Sequence, residues 1–156
     1  MRAIVPLLYF AALLPQVALA AAPAGEWLVA SKSAHIRIVD CAGALWGIVS
    51  WQERSGIDDK NPDPAKRGRP TLGMPVLMDL KPSGPNQWGG ALYNSNNGKT
   101  YTGGITLLGP NTVRVRGCVL GILCGGENWT RVTKVDDEPA SGTAVCAGLN
   151  RPPLLN

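Results

Sequence analysis

The sequence predicts an all-β domain, an eight-stranded antiparallel up-and-down barrel with a long proline-rich loop after its third strand. Three observations carry that reading. Short stretches of about seven residues alternate apolar and polar side chains at the period of a strand. Gly, Pro and Asn clusters separate most of them by connections short enough for antiparallel neighbours. The stretch Asp58 to Gly73 breaks the pattern with Pro62, Pro64 and Pro70 among seven charged groups, and proline can neither donate to a ladder nor sit well in a long helix. It must be a loop, and its expected place is across the mouth of the barrel.

Residues 1–20 read as a signal peptide rather than as part of the fold. Arg2 is the positive end, Ile4 to Leu14 is apolar, and Ala18-Leu19-Ala20 is the small-x-small pattern of a cleavage site. The mature chain is expected to begin near Ala21. The barrel domain is then 21–134, opening with Gly25 to Val29 as a strand. His35 to Val39 follows, with Ile36 and Ile38 on one face and His35 and Arg37 on the other. Leu45 to Trp51 is apolar on both faces, Leu45, Val49 and Trp51 against Trp46 and Ile48, so one of those faces meets something other than water.

After the loop, Met74 to Leu80 is the fourth strand and Lys81 to Pro85 its turn. Gln87 to Tyr93 and Lys99 to Leu107 pair around Asn94 to Gly98, where Asn97-Gly98 supplies positive φ. Thr112 to Cys118 sets Val113 and Val115 against Arg114 and Arg116, and Glu127 to Lys134 closes the series. No helix is predicted. An open eight-stranded sheet would leave edges, whereas closure removes them and gives an interior that side chains fill or that holds one small ligand. Residues 135–156 read as a polar Pro/Gly-rich tail, ordered only through Cys146.

Composition narrows the function. A formal charge of +4, without basic runs or aromatic-basic interleaving, argues against nucleic acid, and nothing after the leader approaches a membrane span. The chain suits one exported domain, periplasmic or secreted. Its four cysteines, Cys41, Cys118, Cys124 and Cys146, then read as disulfides with three connectivities open. The turn between Cys118 and Cys124 suits a bridge within one hairpin, which would leave Cys41 to Cys146. The spacing is not that of a zinc site, and no cofactor is implied.

Two resemblances sharpen the picture. Gly25-Glu26-Trp27 near the start, with Trp129-Thr130-Arg131 at the end, resembles the signature of lipocalins and the wider calycin group. That likeness implies structural roles for Trp27, closing one end, and Arg131, lying across its ring. The segments Cys41 to Leu45, Asn61 to Gly73, Trp88 to Gly90, Asn97 to Tyr101, Arg116 to Cys118 and Trp129 to Arg131 resemble an uncharacterised bacterial exported family, domain of unknown function two-one-four-seven. The resemblance runs from Gly25 to Val132, implies a lipocalin-like barrel and carries no known catalysis. The chain differs from many members at Trp46, where a second cysteine is common, and at Asn94 to Asn96, where an acidic turn is common.

Chemistry finds little support. The one histidine, His35, has no nucleophile brought to it by sequence and no Gly-x-Ser-x-Gly elbow accompanies it. Asp58, Asp59 and Asp63 are expected to pair with Lys60, Arg67 and Arg69 and hold the loop, and the glycine and terminal glutamate of an EF-hand are missing. The candidate ligand-binding residues are Trp51, Arg69, Trp88, Tyr93, Lys99 and Tyr101, the aromatics as walls and Arg69 or Lys99 as polar anchor. The expected function is a non-catalytic exported protein that binds a small apolar or amphiphilic molecule. The alternative is a cell-envelope interaction protein with a filled barrel, whose proline-rich loop docks a partner protein or polysaccharide; a hydrolase comes third.

Overall fold

The computed structural model describes residues 22–133 and 142–149; the segment expected to be a signal peptide, with the rest of residues 1–21, 134–141 and 150–156, lies outside the described residues. The strands are β1 (Gly25–Leu28), β2 (Ala34–Cys41), β3 (Ala44–Gln52), β4 (Pro75–Gly84), β5 (Gln87–Asn94), β6 (Lys99–Gly109), β7 (Thr112–Val119) and β8 (Leu123–Arg131). They form a closed antiparallel barrel in chain order. Closure is made by β1 against β8, where Trp27 faces Arg131 and Leu28 faces Thr130. A short helix, α1 (Gly142–Leu149), follows.

Alternation along these strands sends one set of side chains inward, and the buried apolar cluster is that set. Trp27, Ile36, Ile38, Leu45, Val49, Leu77, Leu80, Leu92, Ile105, Leu107, Val113, Val115 and Trp129 pack together inside the barrel. Cross-strand partners place them in layers: Trp27 faces Ile36, Ile36 faces Val49, Leu77 faces Leu92 and Val113 faces Trp129. Burying such side chains is worth roughly 1.5–3 kcal/mol each before entropy is counted.

An up-and-down barrel gathers alternate connections at each end. Residues 42–43, 85–86 and 110–111 form three tight turns at one end, the turn end. Residues 29–33, 53–74, 95–98 and 120–122 lie at the other, the loop end. The long connection contains a 3-10 turn (Pro64–Lys66) and one isolated bridge, Ile57 to Pro70.

Three sequence expectations need correction. Lys81 to Gly84, expected in the turn, continue β4, with Pro82 facing Trp88, so the turn shrinks to residues 85–86. A helix was not predicted, yet α1 packs near β2, with Cys146 bonded to Cys41 (S–S 1.95 Å) on the outward face that Val39 shares. Its sequence, Gly-Thr-Ala-Val-Cys-Ala-Gly-Leu, has no amphipathic period to announce it, and two glycines lower its own propensity. Tertiary tethering supplies what propensity does not. The last strand also begins at Leu123 rather than Glu127, because Cys118 pairs directly with Cys124 and carries the β7–β8 ladder out to Val119 and Leu123.

Candidate functional site

The turn end is fastened by Trp27 and Arg131. The indole is fully buried and its Nε1 donates to the Pro23 carbonyl at 2.8 Å. The Arg131 guanidinium lies 4.2 Å from the ring centroid and donates to the carbonyls of Ala22, Ala24 and Pro110. Gly25 has φ +129, and a Cβ there would lie 2.6 Å from Arg131 Nη1. The glycine of the Gly-x-Trp pattern is therefore the space the arginine occupies. Among the described residues its polar partners are neutral backbone carbonyls, and these fasten the end.

The loop end is organised by a buried carboxylate. Asp58 is 0% exposed, and Asn61 beside it is also buried. Its Oδ1 accepts the Tyr93 hydroxyl at 2.6 Å. Its Oδ2 accepts Asn61 Nδ2 at 2.7 Å and Arg69 Nε and Nη2 at 2.9 and 2.8 Å. Arg69 also lies 5.8 Å from the Tyr93 ring centroid. Burial pushes the Asp58 pKa up, but the hydrogen bonds from Tyr93, Asn61 and Arg69, with the charge of Arg69, together outweigh it and bring it below the ordinary value. Burial and the Asp58 carboxylate raise the Tyr93 hydroxyl.

Leu92 points into the core, so its neighbour Tyr93 points out of the barrel, and the loop is fastened onto that outward ring. Further along, Lys60 Nζ donates to the Asn96 carbonyl at 3.0 Å, and Gly98 is close enough to Lys60 that a Cβ would overlap its carbonyl oxygen. Asp63 caps the 3-10 turn through Ala65 N and pairs with Lys66. Of the expected loop pairs, the structure makes Asp58 with Arg69; Asp63 pairs instead with Lys66, which was not among the expected partners. With both oxygens of Asp58 already occupied, the cluster is not arranged to present that carboxylate to a cation. Among the described residues no group of His, Cys, Asp and Glu gathers as a metal site.

A second polar cluster sits on the outward side of β1–β3. Glu26, buried, accepts Arg37 Nε at 2.8 Å and the Ser50 hydroxyl, and His35 Nδ1 stands 4.0 Å away. The serine hydroxyl bonds the carboxylate and the His35 carbonyl, not the imidazole. A serine activated by a histidine is absent from it. His35 instead rests on Trp51, ring centroids 4.7 Å apart.

The six expected ligand residues separate into four places. Lys99 and Tyr101 line a cleft of about 500 Å³ at the loop end, with Thr100, Thr102, Cys118, Val119, Leu120 and Gly121. Tyr101 also accepts Asn97 Nδ2 at 2.8 Å, which sets its ring. Arg69 and Tyr93 belong to the Asp58 latch, and Trp51 stacks on His35 at the end of β3. Trp88 faces Ile105 near the turn end and packs on the core, so shared strand parity did not place it beside Lys99 and Tyr101. The cleft's other wall, Val119 and Leu120, carried no alternation to mark it; five residues of turn and apolar chain between two cysteines were the available signal. A second cleft of about 370 Å³, lined by Ile48, Pro75, Val145 and Leu149 among others, lies between α1 and the wall, and accounts for the apolar outward face of β3.

A family model described as "Uncharacterized protein conserved in bacteria (DUF2147)" matches residues 25–131, more than half the chain. No curated protein matches. A solved Helicobacter pylori structure, of protein HP1028, described as belonging to the lipocalin family, aligns with a TM-score of 0.66 at 20% identity, covering 73% of this chain and 85% of that one. At that identity the likeness concerns the fold, and the fold here is a lipocalin-like eight-stranded barrel.

Proposed function

This chain belongs to the conserved, uncharacterised bacterial family whose model it matches, and from that premise we propose that it is a non-catalytic binding protein for a small apolar or amphiphilic molecule. One observation carries the reading: the cleft beside β6 and β7 joins an aromatic ring, two aliphatic side chains and one cation around about 500 Å³. Ligand sites of roughly 300–1,000 Å³ combine mostly apolar walls with a few placed polar groups. Val119, Leu120 and the face of Tyr101 take the apolar body, Thr100 and Thr102 supply hydroxyls, and Lys99 takes an anionic head. Lys99 is a better anchor than Arg69, whose guanidinium is committed to Asp58.

The site lies at the rim, because thirteen buried side chains occupy the barrel interior. Two disulfides suit an oxidising compartment outside the cytoplasm, and no described helix is long and apolar enough to cross a membrane. Native mass spectrometry of the oxidised protein from its host tests the reading, an adduct lost on denaturation being expected. Titration with a dansyl-labelled fatty acid provides the site-specific arm. Lys99→Glu and Tyr101→Ala are each expected to weaken binding roughly tenfold, equivalent to about 1.4 kcal/mol. A bare mass together with no fatty-acid binding overturns it.

A further inference from the structure

The β7–β8 connection is an apolar finger. Val119, Leu120, Ile122 and Leu123 follow one another around Gly121, and Leu120, Ile122 and Leu123 are 90, 81 and 76% exposed. Water around so much contiguous aliphatic surface is unfavourable, and such patches mark interaction sites. The backbone adds an independent sign. Ile122 N donates to the Val119 carbonyl across a turn whose central residues, Leu120 and Gly121, have φ 53 and 71. That turn favours Asn, Asp or Gly at its first central position, so a leucine there costs conformational energy to place an aliphatic side chain at the tip. Just behind, the Cys118–Cys124 disulfide ties the two strands at the base of the finger.

The rest of the loop end has the same character. Trp51, Ile57 and Leu72 are exposed large apolar residues of that end, and Leu108 alone among the named exposed ones lies toward the turn end. The loop-end connections hold six basic residues, Lys32, Arg54, Lys60, Lys66, Arg67 and Arg69, against four acidic ones, with Lys99 adjoining them. Asp58 and Asp63 are paired with Arg69 and Lys66, which leaves Lys32, Arg54, Lys60 and Arg67 against Glu53 and Asp59. The three turns at the opposite end carry no charge at all.

We infer that the loop end docks on an anionic lipid surface, the finger entering the interface and the basic connections meeting the headgroups. Peripheral binding combines buried apolar area with attraction of cations to anionic lipid, and both components stand at one end of this molecule. A protein partner fits less well. Protein hot spots are built on Trp, Tyr and Arg anchors seated in pockets, with Leu and Val under-represented, whereas this finger is convex and aliphatic, with no polar side chain at its tip. Val119 and Leu120 line the cleft as well as the finger, so the inference is tested at Ile122 and Leu123, which do not line it.

The experiment is co-sedimentation of the oxidised protein with vesicles of phosphatidylglycerol and phosphatidylcholine, or of phosphatidylcholine alone. All variants share one N-terminus, so the apolar run at 4–14 contributes equally. Binding is expected to the anionic vesicles and to weaken with added salt. Ile122→Asp with Leu123→Asp should cut it at least tenfold, and Lys66→Glu with Arg67→Glu about tenfold. Leu108→Asp should leave it unchanged. Unaltered circular dichroism and fatty-acid binding show that each variant is folded and its cleft intact. Equal vesicle binding by the wild type and the finger variant overturns the inference. So does failure to bind anionic vesicles while the finger mediates self-association, abolished by the same substitutions, which would assign the surface to a protein contact.

Discussion

Each end of the barrel sets an arginine over an aromatic ring, yet the two arrangements behave as different devices. At the turn end Arg131 lies 4.2 Å from the Trp27 ring centroid and bonds to backbone carbonyls. At the loop end Arg69 lies 5.8 Å from that of Tyr93 and bonds to the Asp58 carboxylate. The first couples strands already adjacent at the barrel's closure. The second couples a loop to a strand 35 residues away through the Tyr93–Asp58 bond. A plug made of an ever-charged guanidinium and neutral carbonyls does not titrate in the ordinary range, whereas a latch made of a carboxylate and a phenol does. The end fixed without titratable groups is the buried, structural one; the adjustable end carries the cleft and the finger.

The largest expected effect breaks the turn end. Trp27→Ala removes a fully buried indole and should cost about 3–5 kcal/mol in denaturant unfolding, with loss of the folded state if the margin is small. Next, Cys146→Ser opens a link between positions 105 residues apart and should cost roughly 2–4 kcal/mol. Hydrogen exchange is expected to rise in α1 while the β5–β8 ladder stays protected.

Asp58→Asn acts on the loop end and should cost about 2 kcal/mol, because Arg69 is left without its counter-charge but is one-third exposed and regains some water. Limited trypsin digestion would sharpen the contrast, with cleavage at Lys66 and Arg67 faster in Asp58→Asn and not in a Leu108→Ser control. Equal protection of the loop in both would show that the latch does not hold it.

The smallest effect, and the most diagnostic, is pH. Asp58 has a lowered pKa, so its stabilisation is present above the unfolded value of about 3.9 and lost as pH falls through its folded value. Tyr93 has a raised pKa, so its stabilisation is present below about 10 and lost as pH rises through its folded value. Loop amides should therefore exchange faster, after correction for intrinsic rates, at both extremes and not between. Loop protection that is flat across the range would refute the latch.

Much of the fold was legible because a strand announces itself by period two and a turn by its residues. Ile36 and Ile38 face in as their alternation requires, and Asn97-Gly98 turns the β5–β6 hairpin. The candidate site was legible only in pieces. Lys99 and Tyr101 share a cleft, but Trp88, on the same face of the neighbouring strand, lies toward the other end. Parity reports the side of a sheet and not the height along it.

The sequence by itself determined the class of fold and the separation of the proline-rich connection from the ladder, since these follow from local stereochemistry and short-range pattern. Only the tertiary structure decided that Tyr93 faces outward beneath Asp58, that Cys146 brings a helix of weak propensity against β2, and that an aliphatic finger and a basic loop share one end. Those are distances between residues remote in the chain, fixed by barrel closure and strand register, and no local preference encodes them.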